Sequence, residues 1–488
     1  MPGQTCDQKV RVNILGVSSE MAPYAKTGGL ADVLGALPRY LRRSGHDVRV
    51  FVPLYDRIDT RSLKLEPAIA DLDVRLGVHR YRCRILQDSA NPSAWFVDCP
   101  ELYHRGAIYT HEADEHRRFV ALNWAALMAC QRLGFAPDVV HCNDWQTGML
   151  PLILKVHFGW DALFARTRTL LTIHNLNYQG GFSSSILPDL NLNGSEHLLH
   201  QDLLRQGRIN FLLQGILYAD GISTVSPTYA REIQTEEHGA GLDGFLRARR
   251  SSVVGILNGV DYDEWSPETD RYIPSRYSRD DLSGKAQNKE AMLGQFGLPH
   301  VQGVPVIGIV SRLVGQKGFD LIPEVLPALL ERRDLQLVVL GSGEARLEEM
   351  FMRLRGAYPR QVAFHRGFSN PLAHLIEAGS DMFLMPSRYE PCGLNQMYSL
   401  RYGTVPIVHR TGGLADTVHL WNPRTGVGTG FPFEHHDAGG LRWGVETAMR
   451  IYRDASQWSR LMLNGMEQDF SWTAQSRLYE LLYTRLGA

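Results

Sequence analysis

Cysteine is scarce in this chain, with six residues among 488, and no two of them stand at the spacing of metal ligands. A disulfide framework and a zinc site are therefore not expected, and a reducing compartment fits the composition. An excess of either charge is also missing, because 51 Lys and Arg oppose 52 Asp and Glu. We therefore expect no nucleic-acid partner, and an anionic ligand would have to be held by a few local cations.

Long hydrophobic runs are the next absence. The longest, such as residues 304–310, have the length of a strand and fall far short of the ~20 residues of a membrane helix. The first twenty residues contain neither a long apolar stretch nor an Arg- and Ser-rich leader, which disfavours secretion and organelle import. The sequence predicts a cytoplasmic protein without a membrane partner.

The hydrophobic content of 44% and the charged content of 21% are those of an ordinary globular protein, long enough for two or three domains. Short β-branched runs alternate with helical patterns, which is typical of a doubly wound parallel sheet. A helix is predicted from Leu30 to Leu41, ending near Gly45, and residues 71–97 resemble an antiparallel hairpin insertion. Strands are predicted at residues 10–17, 48–52, 139–141, 169–173 and 222–225.

The same pattern restarts after the turn-rich segment at residues 257–261. The sequence therefore predicts an α/β fold of two Rossmann-like doubly wound parallel-sheet domains facing across a cleft, residues 1–257 and 258–470. A last helical stretch, 472–486, can pack on either domain. The second domain has predicted strands at 304–310, 335–340, 362–365, 382–385 and 405–408 and a helix at 321–330. Ligands of such sheets bind beyond the carboxyl ends of the strands, so the residues after each strand are the informative ones.

The first candidate motif runs from Lys26 to Asp32, between the first predicted strand and the first predicted helix. Its glycines, Gly28 and Gly29, let the backbone approach a ligand, the helix N-terminus favours an anion, and Lys26 adds a point charge. Ordinary turn chemistry before a helix explains the same residues, and the motif alone does not decide between the two.

Charged residues follow two strands of the second domain. Arg312 and Lys317 come after the strand at 304–310, where two cations can clamp a diphosphate and offset the charge it gains as a leaving group. Glu390 comes after the strand at 382–385, where a carboxylate can stabilise an oxocarbenium-like transition state. A solvated loop explains the cations equally well, and a helix start explains the glutamate.

Three further segments stand at predicted strand or helix ends. Residues 411–414 (Thr-Gly-Gly-Leu) repeat the glycine-then-helix theme and offer backbone N–H groups to a phosphate. His174 ends the strand at 169–173, which suits a polar cleft residue, although plain hydrogen bonding also accounts for a histidine there. Asp144 follows another strand and stands beside Trp145, a pairing of carboxylate and aromatic ring that is useful for binding sugar.

Taken in order along nearly the whole chain, these segments resemble the bacterial glycogen synthase and plant starch synthase family, retaining glucosyltransferases of the GT-B fold. Each motif is modest alone, and the ordered set is specific. Four further segments carry the same resemblance: Tyr178 to Gly180, Thr224 to Tyr229, Gly241 to Gly244 and Asn258 to Asp261.

The resemblance implies transfer of glucose from ADP-glucose to the non-reducing end of an α-1,4-glucan such as glycogen, with the anomeric configuration kept. Four residues would then be catalytic. Arg312 and Lys317 would hold the diphosphate and stabilise departing ADP, Glu390 would support positive charge at the glucosyl carbon, and His174 would contact the sugar near the reaction centre.

Other residues would bind substrate, and residues 471–488 would return to the N-terminal domain. No cofactor and no metal are implied, because two cations can neutralise the diphosphate as a divalent ion does elsewhere. The implied substrate-binding residues are Lys26, Gly28, Gly29 and Asp32 in the donor site, Asp144 in the cleft, Asn258 near the hinge, Phe368 at the adenine, Cys392 close to the donor, and Thr411, Gly412 and Gly413 at the second glycine turn.

The departures from the family pattern are small. Related GT-B enzymes often carry a second Glu eight residues after the first, and this position is Tyr398, which fits the glycogen synthase branch with its Glu-x-Cys-Gly-Leu-x-Gln at 390–396. Phe368 stands where the family often has a Tyr that stacks on adenine, so the stacking face is kept and the hydroxyl is lost. Cys392 is expected to pack beside the site rather than act as a nucleophile, because no base adjoins it.

Two rival functions remain open at this point. Another GT-B enzyme, a glucan phosphorylase or a sugar-nucleotide epimerase, would share the fold; the phosphorylase would need a lysine-bound pyridoxal phosphate, and the epimerase would need no acceptor. A non-catalytic glucan-binding or regulatory protein on the same scaffold should have lost Lys26, Arg312, Lys317 or Glu390, and all four are present.

Overall fold

A computed structural model describes residues 11–487, so Val10 of the first predicted strand, Cys6 and the terminal residue 488 lie outside the described residues. Contacts divide the chain into two compact units. The N-terminal unit comprises residues up to 225, residues 230–259 and the segment from Trp472 onward. The C-terminal unit comprises residues 226–229 and 260–471. Apart from residues 226–229, the chain therefore leaves its first unit after Gly259 and returns to it at Trp472.

The N-terminal unit is built on a nine-stranded sheet with the order β11-β10-β7-β6-β1-β2-β5-β4-β3. Its strands are parallel from β11 through to β5, and β4 and β3 are antiparallel at one edge. A small antiparallel pair, β8 and β9, lies apart from it. The strands are β1 Asn13–Val17, β2 Asp47–Pro53, β3 Leu65–Leu76, β4 His79–Asp88, β5 Ala94–Asp98, β6 Val139–Asn143, β7 Arg168–Ile173, β8 Gly181–Ser183, β9 Arg208–Asn210, β10 Gly221–Thr224 and β11 Val253–Gly255.

The predicted hairpin insertion is confirmed for β3 and β4, which pair antiparallel and begin at Leu65 rather than at residue 71. The last strand of the predicted insertion, β5, also pairs with a strand outside the insertion. β5 pairs antiparallel with β4 and parallel with β2, so the insertion extends the main sheet instead of standing apart from it. The sequence pattern did not predict the parallel pairing of β5 with β2, because the residues of a strand do not show which strands lie on its two sides.

Helices α1 to α8 precede Gly259, where the chain leaves the N-terminal unit. The first, α1, begins at Gly29, and its apolar residues at helical spacing, including Leu30 and Leu41, are buried. It ends at Arg43, and Gly45 follows with φ of +100°, a left-handed conformation that glycine adopts without a steric cost. The helices are α1 Gly29–Arg43, α2 Pro100–Tyr103, α3 Glu115–Leu133, α4 Leu150–Ile153, α5 Gln201–Arg205, α6 Phe211–Tyr218, α7 Pro227–Glu232 and α8 Asp243–Ala248.

The C-terminal unit is built on a six-stranded, wholly parallel sheet with the order β14-β13-β12-β15-β16-β17. Side chains alternate between its faces: Ile307 and Ile309 belong to one hydrophobic cluster, and their neighbour Val306 belongs to another. Two buried faces explain the near-continuous apolar runs of these strands. The strands are β12 Val306–Leu313, β13 Gln336–Gly343, β14 Val362–Arg366, β15 Met382–Met385, β16 Val405–His409 and β17 Phe431–Phe433.

Helices cover both faces of this second sheet, and the predicted architecture of doubly wound parallel-sheet units is confirmed. The helices are α9 Ser283–Gln295, α10 Ile322–Glu331, α11 Ala345–Ala357, α12 Asn370–Gly379, α13 Asn395–Arg401, α14 Gly412–Thr417, α15 Ala438–Tyr452 and α16 Ala455–Met466. The last helix, α17 Trp472–Leu486, belongs to the N-terminal unit, where it packs on α1 and its Tyr483 hydroxyl lies 3.0 Å from Nδ1 of His141 in β6.

In each sheet, successive strands lie first on one side of a central strand and then on its other side, which makes the central strand a reversal point. In the N-terminal unit β1 is followed by β2 on one side and later by β6 on the other; in the C-terminal unit β12 is followed by β13 on one side and by β15 on the other. Ligands of open α/β sheets bind at such reversal points, beyond the carboxyl ends of the strands. No helix among residues 11–487 is long and apolar enough to cross a membrane.

Candidate active site

The loop after β1 is organised by a residue that sequence reasoning missed. The Glu20 carboxylate accepts hydrogen bonds from the Thr27 amide at 2.5 Å, the Thr27 hydroxyl at 2.6 Å and the Gly28 amide at 3.3 Å, and also from the Tyr109 hydroxyl. The signal was available, since Glu20 follows the first strand as the other candidates follow theirs. Two of the backbone donors predicted for an anion are therefore bonded to Glu20 in this structure.

The predicted residues Lys26 and Asp32 form an ion pair of 2.6 Å between Nζ and Oδ1. Lys26 is half-exposed, with 52% of its side chain accessible. A Cβ added at Gly28 or Gly29 would meet nothing within 4 Å, and φ of Gly28 is −158°. Neither packing nor backbone conformation demands these two glycines, so they leave open space next to Lys26.

At the end of β6, Asp144 holds the segment that follows β7. Its Oδ1 accepts the amides of His174 at 2.7 Å and Asn175 at 3.4 Å, and its own φ is +56°. Burial raises the pKa of Asp144 to about 7 against the opposing effect of these two hydrogen bonds. A buried carboxylate in a left-handed conformation thus fixes the backbone that carries His174.

His174 is buried, and its Nε2 lies 3.0 Å from Oδ1 of Asn143. Its Nδ1 is buried without a hydrogen-bond partner among residues 11–487. Burial, followed by the nearby His141, lowers the pKa of His174 to about 3, so the ring is neutral near pH 7. Asn258, the last predicted residue of this unit, resembles it in one respect: its side-chain Oδ1 is buried and unpaired within the described part of the chain.

In the C-terminal unit the structure brings together two residues predicted from separate motifs. Nζ of Lys317 lies 2.5 Å from Oε2 of Glu390, which also accepts the Ser387 hydroxyl at 2.9 Å. Glu390 is 6% exposed. The pair stands where β12 and β15 end, which is the reversal point of this sheet.

Backbone contacts hold the two loops of this pair against each other. The Arg388 amide donates to the Gln316 carbonyl at 2.9 Å, and the Gln316 side chain donates to the Tyr389 carbonyl at 3.2 Å. Gly318 has φ of +69°, and a Cβ there would lie 1.9 Å from the Pro386 carbonyl oxygen. Glycine is therefore required for the close approach that brings Lys317 to Glu390.

Arg312 lies within β12 rather than after it, which corrects the predicted strand end. The strand continues to Leu313 because residues 311–313 keep their parallel pairing with residues 341–343 of β13, where Gly341 and Gly343 have no side chain and allow the backbones to approach. Arg312 is exposed, and its guanidinium has no ion pair among residues 11–487. The cation is thus at the predicted edge of the sheet and available to a ligand.

The second glycine turn, residues 411–414, packs against the backbone of Glu390 and Cys392. The Gly413 amide donates to the Glu390 carbonyl at 3.0 Å, and a Cβ at Gly412 or Gly413 would lie 2.0 Å from the carbonyl oxygen of Glu390 or Cys392. The amide of Gly413, predicted to meet a phosphate, is therefore already bonded. Thr411 and Cys392 are buried beside this contact.

Phe368 stands apart from these contacts, 76% exposed in the turn between β14 and α12. Within each unit the predicted residues stand at the carboxyl edge of the sheet, but Asn258 follows the edge strand β11 and Phe368 follows the edge strand β14, each separated by one intervening strand from the other predicted residues. Among the described residues, Arg312 and Phe368 make no hydrogen bond or ring contact with the other predicted residues. Among residues 11–487, no group of three or more His, Cys, Asp or Glu is placed to hold a metal ion.

Comparison with known proteins places this arrangement in a family. Residues 13–248 match the family described as starch synthase catalytic domain, and residues 295–460 match glycosyl transferases group 1. The glycogen synthase of Myxococcus xanthus is 48% identical over 486 residues, covering 98% of this chain and 100% of the relative. That of Koribacter versatilis is 46% identical over 483 residues, covering 97% and 98%.

The chain belongs to the glycogen synthase family. It is a glycosyltransferase of the GT-B fold, as the sequence predicted. Among solved structures, the catalytic domain of starch synthase IV from Arabidopsis thaliana, bound to ADP and acarbose, superposes on this member of the glycogen synthase family with a TM-score of 0.90 at 34% identity, covering 98% of this chain and 99% of that one. Sucrose-phosphate synthase from Thermosynechococcus elongatus shares the fold alone, with a TM-score of 0.60 at 18% identity.

Proposed function

We propose that this member of the glycogen synthase family transfers glucose from ADP-glucose to the non-reducing end of an α-1,4-glucan and keeps the anomeric configuration. Its near full-length relatives are glycogen synthases, and a structural relative at 34% identity was solved with ADP and acarbose. The observation that carries the proposal is the ion pair of Lys317 with Glu390 at the reversal point of the second sheet, with Arg312, which has no ion pair among residues 11–487, near the end of β12.

These three charges suit the departure of a nucleoside diphosphate. As the bond to the anomeric carbon breaks, the diphosphate gains negative charge and the sugar gains positive charge. In the proposal Arg312 and Lys317 stabilise the negative charge on the diphosphate, and the Glu390 carboxylate stabilises the positive charge on the sugar. Both signs of charge are therefore held ready next to each other, and no reorganisation of solvent is needed at the moment of transfer.

Several residues of the N-terminal unit are also proposed to bind the donor. His174 offers an unpaired ring nitrogen and Asn258 an unpaired amide oxygen, both buried, and a sugar hydroxyl can donate to either. Lys26, next to the open space at Gly28 and Gly29, would contact the donor, with Asp32 holding its ammonium. Asp144 would act through the backbone of His174.

The remaining proposed residues belong to the C-terminal unit. Phe368 would stack on the adenine, which its exposure permits. Thr411, Gly412 and Gly413 would hold the backbone of Glu390 and Cys392 while the latter packs close to the donor. We also propose a cytoplasmic location, supported by the five described cysteines, which are buried thiols and not disulfides.

One assay tests the proposed reaction. The protein is incubated with glycogen and either ADP-glucose or UDP-glucose, and the released nucleotide is identified. The proposal expects ADP release that requires glycogen, together with new α-1,4 linkages in the polymer by NMR. Release of nucleotide without glycogen would point to a hydrolase, conversion of the donor into another nucleotide sugar without glycogen would point to an epimerase, and absorbance of a bound pyridoxal phosphate would point to a phosphorylase.

A further inference from the structure

Asn143 is the last residue of β6, and its side chain ties together the ends of three adjacent strands. Its Nδ2 donates to the carbonyls of Val17 in β1 at 3.1 Å and of His141 in β6 at 3.2 Å. Its Oδ1 lies 3.0 Å from Nε2 of His174, directly after β7. The side chain is fully buried, and nothing in the proposed reaction so far uses it.

The orientation of this amide is fixed by what its partners can do. A carbonyl oxygen only accepts hydrogen bonds, so the nitrogen of Asn143 must face Val17 and His141. A flipped amide would bring its oxygen against two carbonyl oxygens and lose both bonds. Oδ1 therefore faces His174, and an amide oxygen only accepts.

It follows that the hydrogen of the His174 ring is on Nε2. The ring is neutral near pH 7, so it carries one hydrogen, and the acceptor at Oδ1 of Asn143 holds that hydrogen on the nearer nitrogen. Nδ1 is then a bare acceptor. It is also the buried nitrogen that has no partner among residues 11–487. A buried acceptor without a donor inside the protein can take one from a bound molecule, either a ligand or an ordered water.

We propose that Asn143 is a positioning residue that locks His174 in the Nε2–H tautomer, so that Nδ1 accepts a hydrogen bond from a hydroxyl of the donor sugar. This inference rests on the proposed function for the identity of the ligand as a sugar, and it adds a residue to which that function assigned no role. The contribution of Asn143 is chemical rather than only architectural, because the opposite tautomer would present an N–H donor to the same hydroxyl.

The tautomer is measurable on the ligand-free wild-type protein by ¹⁵N NMR of labelled histidine. The chain has 18 histidines, and the His174 signals are the ones missing from a His174→Gln variant. We expect one protonated nitrogen, Nε2, and one nitrogen with the shift of an unprotonated acceptor, Nδ1. Signals of a Nδ1–H ring, or averaged signals of a mixture, would overturn the proposal. This measurement needs no change at Asn143.

Kinetics with deoxy donors tests the consequence. A series of ADP-glucose analogues, each lacking one sugar hydroxyl, is compared in the wild type and in Asn143→Leu. In the wild type we expect removal of the hydroxyl that bonds to Nδ1 to lower kcat/KM by roughly 10- to 100-fold. In Asn143→Leu the same removal should cost about threefold or less, since the acceptor is no longer presented. Equal penalties in both proteins for every analogue would contradict the proposed lock.

A matched control separates this effect from general loss of a buried amide. Asn288 is also fully buried and also bonds two backbone groups, the carbonyl of Ser275 at 2.6 Å and its amide at 3.1 Å, but it belongs to the C-terminal unit and its side chain hydrogen-bonds to no histidine among residues 11–487. Asn288→Leu should destabilise the protein and leave the wild-type pattern of deoxy penalties. If the wild type transfers glucose from no nucleotide sugar, the proposed function fails, while the ring signal of the ligand-free protein still decides the tautomer.

Discussion

Nζ of Lys317 and Oε2 of Glu390 lie 2.5 Å apart, and the two residues come from loops that end different strands, β12 and β15. A second lysine–carboxylate pair stands at the opposite end of β15, where Nζ of Lys289 lies 2.7 Å from Asp381, the residue before the strand. The two pairs are similarly buried, with side-chain exposures of 17% and 8% in the first and 11% and 14% in the second.

Lys317→Ala should abolish most of the activity. Loss of one preorganised charge at a leaving group costs roughly 10²- to 10³-fold in kcat. We expect this fall in the rate of ADP release, with the far-UV circular dichroism unchanged. Lys289→Ala is the control: it breaks an equivalent pair at the other end of the same strand, and it should lower the melting temperature to a similar extent while kcat stays within about twofold. Equal loss of kcat in both variants would remove Lys317 from the chemistry.

Alanine substitutions in the two glycine turns should differ in their effect on stability. At Gly413 a Cβ would lie 2.0 Å from the Cys392 carbonyl oxygen, so Gly413→Ala should destabilise the fold by about 1–3 kcal/mol and displace Glu390. At Gly29 a Cβ meets nothing within 4 Å, and Gly29→Ala should leave stability within about 0.5 kcal/mol. Chemical denaturation measures both. A raised KM for ADP-glucose in Gly29→Ala, at unchanged stability, would further support a ligand in the open space there.

Asp144 should make stability depend on pH in the neutral range. Its folded pKa of about 7 is above its ordinary value, so the folded protein binds the proton more tightly than the unfolded chain does. This contribution favours folding fully below about pH 4, and it is lost as the pH rises towards 7. The effect can reach about 4 kcal/mol across this range. Asp144→Asn keeps an acceptor for the two amides and does not titrate.

The measurement is the melting temperature of wild type and Asp144→Asn at each pH from 4 to 8. Other buried groups titrate equally in both proteins, so the difference between the two curves isolates Asp144. The wild type should lose stability relative to the variant as the pH rises, and the difference should level off above about pH 7. A difference that does not change with pH would show that the pKa of Asp144 is the same in the folded protein as in the unfolded chain.

Phe368 should affect the donor and not the fold. Since its ring is 76% exposed, Phe368→Ala should leave the melting temperature unchanged. Stacking of an aromatic ring on a base is worth ~1–3 kcal/mol. We therefore expect KM for ADP-glucose to rise about 10-fold or more in Phe368→Ala and to stay near the wild-type value in Phe368→Tyr, in steady-state assays with saturating glycogen. An unchanged KM in the alanine variant would exclude the stacking role.

Local patterns in the sequence were sufficient for the elements and for the places where chemistry would gather. Buried parallel strands leave continuous apolar runs, so β12 and β15 were recognisable within a few residues, and polar residues after them were candidates by position alone. Strand ends were less reliable: Arg312 proved to lie within β12, because pairing with the glycines of β13 extends that strand beyond its apolar run.

Pairings between distant residues were beyond the sequence. Glu20 was recognisable as a polar residue after β1, but the sequence does not show that the amides of the next loop will turn towards its carboxylate. Asn143 directly precedes the predicted residue Asp144 but had no assigned role, because its partners come from strands whose order in the sheet no local pattern records.

The sequence by itself determined the alternation of strand and helix, the restart of that alternation near residue 258, and the placement of Lys317, Glu390 and His174 at strand ends, because these depend on side-chain periodicity and turn chemistry. Only the tertiary structure decided that Lys317 meets Glu390 across 73 residues and that Asn143 faces His174. The physical reason is the crossover order of the sheets: which strands become neighbours is settled by packing of the whole unit, and the contacts at their ends follow from that order.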